Sequence, residues 1–398
     1  MSGTSENIPA NSFSVTGLHY ETMLPIQIEI ADGRILAIRN LESDTAGAKL
    51  PIIAPGLIDN QVNGYAGVDF SGENLTVEGI VKATRSLWRT GVTTYLPTLI
   101  TNSPQNLIRN FRVLMEAMNH KDVELSVPGF HLEGPYISGD DGFRGCHPLE
   151  HRTNPDIEQF TGFLKAAGGK IVQITLAPEL KGSGDLIKYC VANGIQVAIG
   201  HSNANGNEIH EACELGARLS THLGNGCANL IHRHNNPIWP QLADERLIPT
   251  LIADGHHLIP DELRVFLKVK GAGSILLTSD ITYLAGMPAG RYRFGGADVI
   301  LSEDGMLKSA DQDCLAGATM PLLKGVENMM KFTGCSLGEA INMASKNVAK
   351  LFGWNDRGQL LPGRRADLLL LRQSTDGLEI EHCYVSGHRI TQHPGETT

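Results

Sequence analysis

IQVAIGHSNANGNEIHEACELGARLSTHLG, residues 195–224, holds the unit from which the fold can be read. Two apolar runs, IQVAIGH (195–201) and RLSTHLG (218–224), each place a histidine at or near their end. Between them NEIHEACELGA spaces its apolar residues as one face of a helix and stops at glycine. Strand, helix and strand in that order require a crossover, so the two strands lie parallel. Six more runs of the same kind flank this unit: IIAPGLID (52–59), VTTYLPTL (92–99), VPGFHLE (127–133), KIVQITLAPE (170–179), PTLIADG (249–255) and SILLTSD (274–280). Eight evenly spaced strands alternating with helix-like segments such as LTVEGIVKATRSLWRTG predict a closed (β/α)8 TIM-like barrel. CSLGEAINMASKNVAKLFG supplies a last helical segment that closes it.

The chain ends have a different texture. From Ile26 to Ile38, IQIEIADGRILAI alternates apolar and polar residues around Asp32-Gly33, the signal of a two-residue type I′ hairpin. The stretch 358–390 has short strand-like runs and a second Asp-Gly at 376–377. Residues 1–54 and 358–398 are therefore expected to form one small β-sandwich domain, and residues 55–357 the barrel.

A chain of 398 residues with 41% hydrophobic and 19% charged residues can bury a large core. Its net charge of −10, without a long Lys/Arg run, argues against nucleic acid or an anionic membrane as partner. No apolar run reaches membrane-spanning length, and the N-terminus lacks the order of a signal peptide, which points to the cytoplasm. The seven cysteines (146, 190, 213, 227, 314, 335, 383) are odd in number and contain no C-x-x-C pair, so they read as reduced thiols rather than a disulfide framework.

In a barrel of this kind chemistry sits where the strands end. The polar strand-end residues are Asp59 with Gln61 and Asn63, Glu133, His201, His222, Asp254 with His256 and His257, and Asp280. Glu133, His201 and His222, from three strands, make a first shell for one Zn2+ that leaves a position open for water. Such an ion lowers the pKa of its water and polarises a scissile carbonyl. Asp280, at the end of the eighth strand, is placed to take the proton from that water and return it to the leaving amine. Asp59 reads equally as a turn cap or a ligand, and His151, His210 and His382 as surface residues.

The motifs PGLIDNQVNG (55–64), HLEGPYI (131–137), GCHP (145–148), GHSNA (200–204), THLGN (221–225), IADGHH (252–257), LTSD (277–280), LAGATM (315–320) and PGRRADLLLL (362–371) cover nearly the whole length. On these the chain resembles the N-acetylglucosamine-6-phosphate deacetylases of the amidohydrolase superfamily. HLEGP with GHSNA is a specific combination, whereas PGRRAD is shared widely. The resemblance implies an amidohydrolase-type barrel, hydrolysis of N-acetylglucosamine 6-phosphate to acetate and the amino sugar phosphate, and a homodimer. It implies one divalent metal on Glu133, His201 and His222, since the usual His-x-His after strand one reads Gln61-Val62-Asn63. Zn, Fe, Mn and Co all suit such a site.

The same resemblance makes Asp280 the general acid/base and His147 the group that polarises the acetyl carbonyl. It puts Gln61, Gly134, Asn225, Gly226, His257 and Leu315 on the substrate. Arg233 falls where the family has an arginine that reaches the phosphate across a dimer interface. There the chain departs from the family: Gly224-Asn225-Gly226-Cys227 and ANLIHRHNNPIW replace the usual sequence after THL, and His256-His257 is doubled. Trp239 reads as an anchor for that loop or as a stacking surface for a sugar ring. The altered loop keeps open a deacetylase for another N-acyl amino sugar, unphosphorylated or galacto-configured. A barrel that only binds predicts damaged ligands, and Glu133, His201, His222 and Asp280 are intact.

Overall fold

The computed structural model describes residues 12–42, 50–375 and 377–390. The strands run β1 (Ser12–His19), β2 (Pro25–Ala31), β3 (Arg34–Asn40), β4 (Ile52–Pro55), β5 (Leu57–Val62), β6 (Gly64–Tyr65), β7 (Val68–Asp69), β8 (Val92–Ile100), β9 (Phe130–Glu133) and β10 (Ile171–Leu176). They continue with β11 (Gln196–Ile199), β12 (Leu219–Ser220), β13 (Ile248–Leu251), β14 (Leu276–Leu277), β15 (Gly290–Phe294), β16 (Ala297–Leu301), β17 (Leu307–Ser309), β18 (Leu368–Gln373), β19 (Leu378–Val385) and β20 (His388–Ile390).

Strands β5, β8, β9, β10, β11, β12, β13 and β14 lie side by side in chain order, every pair parallel. Helices alternate with them for local reasons. Thr76 caps helix Val77–Trp88 by accepting from Gly79 N, and Asn205 with Glu208 forms a capping box on helix Gly206–Glu214. The ladder does not run continuously from β14 back to β5. There a single parallel bridge, Val62 with Ile281, is joined by Asn63 N donating to Ile281 O at 2.8 Å. Asp59 fastens the same seam: Oδ1 accepts from Thr278 Oγ1 at 3.0 Å and Ser279 N at 3.2 Å, and Oδ2 from Ser279 Oγ. Asp59 is therefore a tie between the first and last barrel strands. Burial pushes its carboxyl up to about 6, against the lowering effect of these bonds.

The run 52–59 divides at Gly56. Residues Ile52–Pro55 join the chain-end sheet and Leu57–Val62 enter the barrel. At Gly56 the chain passes between sheets so close to β8 that a Cβ would stand 2.2 Å from Thr93 Oγ1. The chain-end strands make one seven-stranded sheet in the order β20-β19-β18-β4-β1-β2-β3. Asp32 (φ 49°) and Gly33 (φ 75°) both take left-handed backbone between β2 and β3, as the type I′ hairpin requires. Asp376 of the second Asp-Gly lies outside the described residues. The PGRRAD motif joins the two parts: Arg365 pairs with Asp367 at 2.9 Å in buried surroundings and donates to Leu125 O at 2.7 Å.

Inside the barrel a polar chain runs beneath the strand ends. His131 bridges Thr98 Oγ1 (3.3 Å) and Thr175 Oγ1 (2.8 Å), and Thr175 Oγ1 lies 2.7 Å from Thr221 Oγ1. Burial drives the His131 ring down to about 4, so it is neutral there.

The run of barrel strands gave no sign of one element. After β14 the strands β15, β16 and β17 form an antiparallel sheet that packs Phe294, Val299, Leu301 and Leu307 over Ile100, Leu284 and Ala316 at the barrel mouth. Its turns fall at Gly295-Gly296 and Gly305, all with positive φ. Gly295-Gly296 and Asp304-Gly305 are turn signals that the sequence carries.

Candidate active site

A cavity of about 470 Å³ opens at the C-terminal ends of the barrel strands. Its wall brings together Glu133, His147, His201, His222, Asn225, Gly226, His257, Asp280 and Leu315, all of which the sequence singles out, with Asn63 and His256. His201 (φ 49°), His222 (φ 31°) and Asp280 (φ 51°) all sit in left-handed backbone. Each such residue costs on the order of 1–3 kcal/mol, a strain that collects at functional sites.

Glu133 Oε1 is the meeting point. His222 Nε2 lies 3.1 Å from it and His201 Nε2 3.3 Å, all three side chains being nearly inaccessible. His147 joins the group, since ligand atoms of Glu133, His147 and His201 lie within 4.8 Å of one another. Burial alone pushes Glu133 up, but the two imidazoles hold its carboxyl well below the ordinary range. For His222 burial works downward and the Glu133 carboxylate prevails, raising it. A buried carboxylate focused on by imidazole nitrogens is a donor set that fits a divalent cation.

Asp280 stands next to this group and differs from it. Burial and the field of Glu133 push its carboxyl up, with His222, His257 and Asn63 pulling the other way. Asn63 Nδ2 and Gln61 Nε2 hold its Oδ1 at 2.7 and 2.9 Å. Gln61 Nε2 also donates to Glu133 Oε1 at 3.0 Å. Both hydrogens of the Gln61 amide are therefore used on carboxylates, and the side chain is buried behind the cavity wall rather than on it.

His147 is held by two residues that sequence reasoning missed. Its Nδ1 lies 2.8 Å from Thr101 Oγ1, and Arg144 donates to its carbonyl at 2.7 Å. Burial, with His201 beside it, pushes the ring down to about 3. Nothing in the local sequence marks Thr101, which immediately follows β8. His257 is fixed by Nδ1 at 2.7 Å from Asp254 Oδ2, while His256 Nε2 lies 3.2 Å from Asp304 O. Both rings reach the cavity wall. Asn225 Nδ2 is buried there without a protein partner.

Besides Gln61, two more residues expected on the substrate lie off this chain's cavity wall, for Arg233 in keeping with its expected reach across a dimer interface. Gly134 is not on the cavity wall: at φ +80° it passes so close to Thr101 that a Cβ would stand 2.2 Å from Oγ1. Arg233 is exposed, off the wall of this chain's cavity, and its carbonyl accepts from Trp239 Nε1 at 2.9 Å. Trp239 itself is 54% exposed, neither a buried anchor nor part of the cavity. The wall instead carries Lys308, from β17, as its only lysine or arginine among the described residues.

The Amidohydrolase family model matches residues 52–390. The chain is 32% identical to the N-acetylglucosamine-6-phosphate deacetylase of Lysinibacillus sphaericus, over 80% of this chain and 81% of that protein. It is 30% identical to the N-acetylgalactosamine-6-phosphate deacetylase of Escherichia coli O157:H7, over 91% and 93%. A mutant N-acetyl-D-glucosamine-6-phosphate deacetylase of Mycobacterium smegmatis, solved with N-acetyl-D-glucosamine-6-phosphate, superposes with a TM-score of 0.85 at 26% identity, covering 95% of this chain and 99% of that one. With its barrel, its carboxylate–histidine cluster and these relatives, the chain belongs to the amidohydrolase family, among the N-acetylglucosamine-6-phosphate deacetylases.

Proposed function

We propose that the chain hydrolyses the acetamide of N-acetylglucosamine 6-phosphate, giving acetate and glucosamine 6-phosphate. The observation that carries this reading is the meeting of Glu133, His201 and His222 beside a separately held Asp280 in one cavity. Glu133, His201 and His222 would hold one divalent ion, zinc being the natural choice, with iron, manganese or cobalt compatible. When bound, such an ion activates water and polarises a carbonyl. His147 stays outside this set, because two histidines and a carboxylate leave the open position that catalysis needs and a fourth protein ligand closes it.

Asp280 takes the proton of the attacking water and delivers it to nitrogen as the C–N bond breaks, a task suited to a carboxyl raised above its usual value. The Thr101 hydroxyl engages His147 Nδ1 and leaves Nε2 for the acetyl oxygen, to which a proton carried there would be donated. His257 keeps Nε2 free for a sugar hydroxyl while Nδ1 serves Asp254. Asn225 Nδ2, the Gly226 backbone and Leu315 line the remaining contact surface.

Lys308 supplies a cation for the phosphate from the same chain. Arg233, exposed and off this chain's cavity wall, would serve a neighbouring copy's cavity. In the homodimer we propose, the loop 227–239 faces that copy, which fits Leu230 standing 94% exposed on it. No helix among the described residues is long and apolar enough to cross a membrane, and we place the enzyme in the cytoplasm.

The galacto epimer is the alternative that the altered loop keeps open; the Escherichia coli O157:H7 relative is named for it, and the N-acetylglucosamine-6-phosphate deacetylases among the relatives do not favour it. Kinetics on the gluco and galacto N-acetylhexosamines, each with and without the 6-phosphate, test both. A kcat/KM at least about 100-fold higher for N-acetylglucosamine 6-phosphate than for the free sugar is expected. Equal efficiency on both removes the phosphate from the reading, and a galacto preference reverses the epimer. An Asp280→Asn protein is expected to keep its metal and lose turnover, and an active one removes the role of Asp280.

A further inference from the structure

Cys146 and Cys314 face each other with their Sγ atoms 3.3 Å apart, unbonded, across 168 residues of sequence. Both line the substrate cavity. Cys146 immediately precedes His147, and Cys314 immediately precedes Leu315 in the turn that follows β17. The contact is built by folding. Cys146 Sγ donates to Leu315 O at 3.6 Å, and the loop behind it is pinned by Arg144 to His147 O and by Thr101 to the His147 ring. Cys190, Cys213 and Cys383 are buried, so a reagent entering the cavity meets only Cys146, Cys314 and Cys227 on its wall.

We infer that Cys146 and Cys314 are an oxidative modification site whose reactant is a small hydroperoxide, and that their disulfide ties the His147 loop to the Leu315 loop across the active-site mouth. In the first step one thiolate attacks a peroxide oxygen. The O–O bond breaks, the sulfur becomes a sulfenic acid, and the departing hydroxide takes up the thiol's proton as water. In the second step the other thiolate attacks the sulfenic sulfur, the S–S bond forms, and hydroxide leaves with the second thiol's proton as another water. Two thiols are oxidised and one hydrogen peroxide is reduced to two waters. Since a disulfide bond is about 2.05 Å long, the sulfurs must approach by roughly 1.2 Å. That pull falls on the residue next to His147, whose ring centroid lies 4.3 Å from that of His201. A displaced His147 lowers turnover, and a dithiol restores it.

The test treats the metal-loaded full-length protein with hydrogen peroxide, blocks free thiols, digests without reductant and reads linked peptides by mass spectrometry, with metal content and kcat/KM followed in parallel. A peptide pair joined through Cys146 and Cys314 is expected. Its appearance should track a fall in kcat/KM of at least fivefold at constant metal content, and dithiothreitol should reverse both. Cys314→Ser and, independently, Cys146→Ser should give no link and lose less than twofold under the same exposure, while Cys227→Ser should still link. The inference is overturned if no linked pair forms, if it forms with kcat/KM unchanged, or if activity falls equally in wild type and Cys314→Ser. The linked peptide is read without any substrate, so its absence is distinct from a failure of the proposed reaction.

Discussion

Asn63 Nδ2 donates to Asp280 Oδ1 at 2.7 Å, the shortest contact that the catalytic carboxylate candidate makes to a side chain. Gln61 reaches the same oxygen at 2.9 Å. The two amides that replace His-x-His thus orient a carboxylate. A hydrogen bond to a charged group contributes about 1.5–3 kcal/mol. Asn63→Ala is therefore expected to lower kcat by about 10- to 150-fold, with KM nearly unchanged and the metal retained. Steady-state kinetics with metal analysis decide it, and a kcat within about twofold of wild type means Asp280 is held without Asn63.

Lys308 is the wall's only lysine or arginine in the described cavity. Lys308→Ala should raise KM for the phosphorylated substrate by about 10- to 100-fold and leave the free sugar unaffected, the pattern of a lost charge-assisted contact. Lys308→Arg should recover much of the loss. An unchanged preference for the phosphorylated sugar in Lys308→Ala assigns the phosphate to another group.

Gly134 leaves no room for a side chain, with Thr101 Oγ1 2.2 Å from where a Cβ would stand and φ at +80°. Gly134→Ala should destabilise the protein by more than about 2 kcal/mol and depress kcat, because the atom displaced is the one that holds His147. Thermal melting beside kinetics checks this, and an unchanged melting temperature contradicts it.

His131 ties acid stability to the barrel interior. Its pKa falls from 6.5 to about 4 on folding, so between those values the unfolded chain binds more protons. The stability it contributes is fully present above about pH 6.5 and is lost as pH falls through about 4, amounting to about 3 kcal/mol. Denaturant titrations from pH 7 to 4.5 should show a His131→Gln protein with a shallower decline than wild type. Parallel declines would assign the acid sensitivity elsewhere.

The eight barrel strands were legible because the apolar runs are evenly spaced, and those that end at or near Glu133, His201, His222 and Asp280 put chemistry where periodicity put strand ends. The type I′ hairpin was legible because Asp32-Gly33 is a local signal. Gly56 hid a boundary, since IIAPGLID reads as one apolar run until its two halves are seen to serve different sheets. Gln61 was expected on the substrate, but only the three-dimensional arrangement shows both of its hydrogens engaged. Thr101 and the Cys146–Cys314 contact were invisible because they join residues 46 and 168 positions from their partners. Arg233 was placed by motif position, with a reach across a dimer interface, and it stands off this chain's own cavity wall.

The seam between β5 and β14 is closed by one bridge with the Asn63 N to Ile281 O bond, and by the side chains of Asp59, Gln61 and Asn63. Asn63 and Asp280 flank that closure, so parting the two strands there undoes the grip on the carboxylate before the other strands have moved. Sub-global openings follow the weakest joints of a fold. For this enzyme, heat should silence catalysis at temperatures where the bulk of the barrel still gives a native signal, and hydrogen exchange at the Asn63 amide should keep pace with that silence.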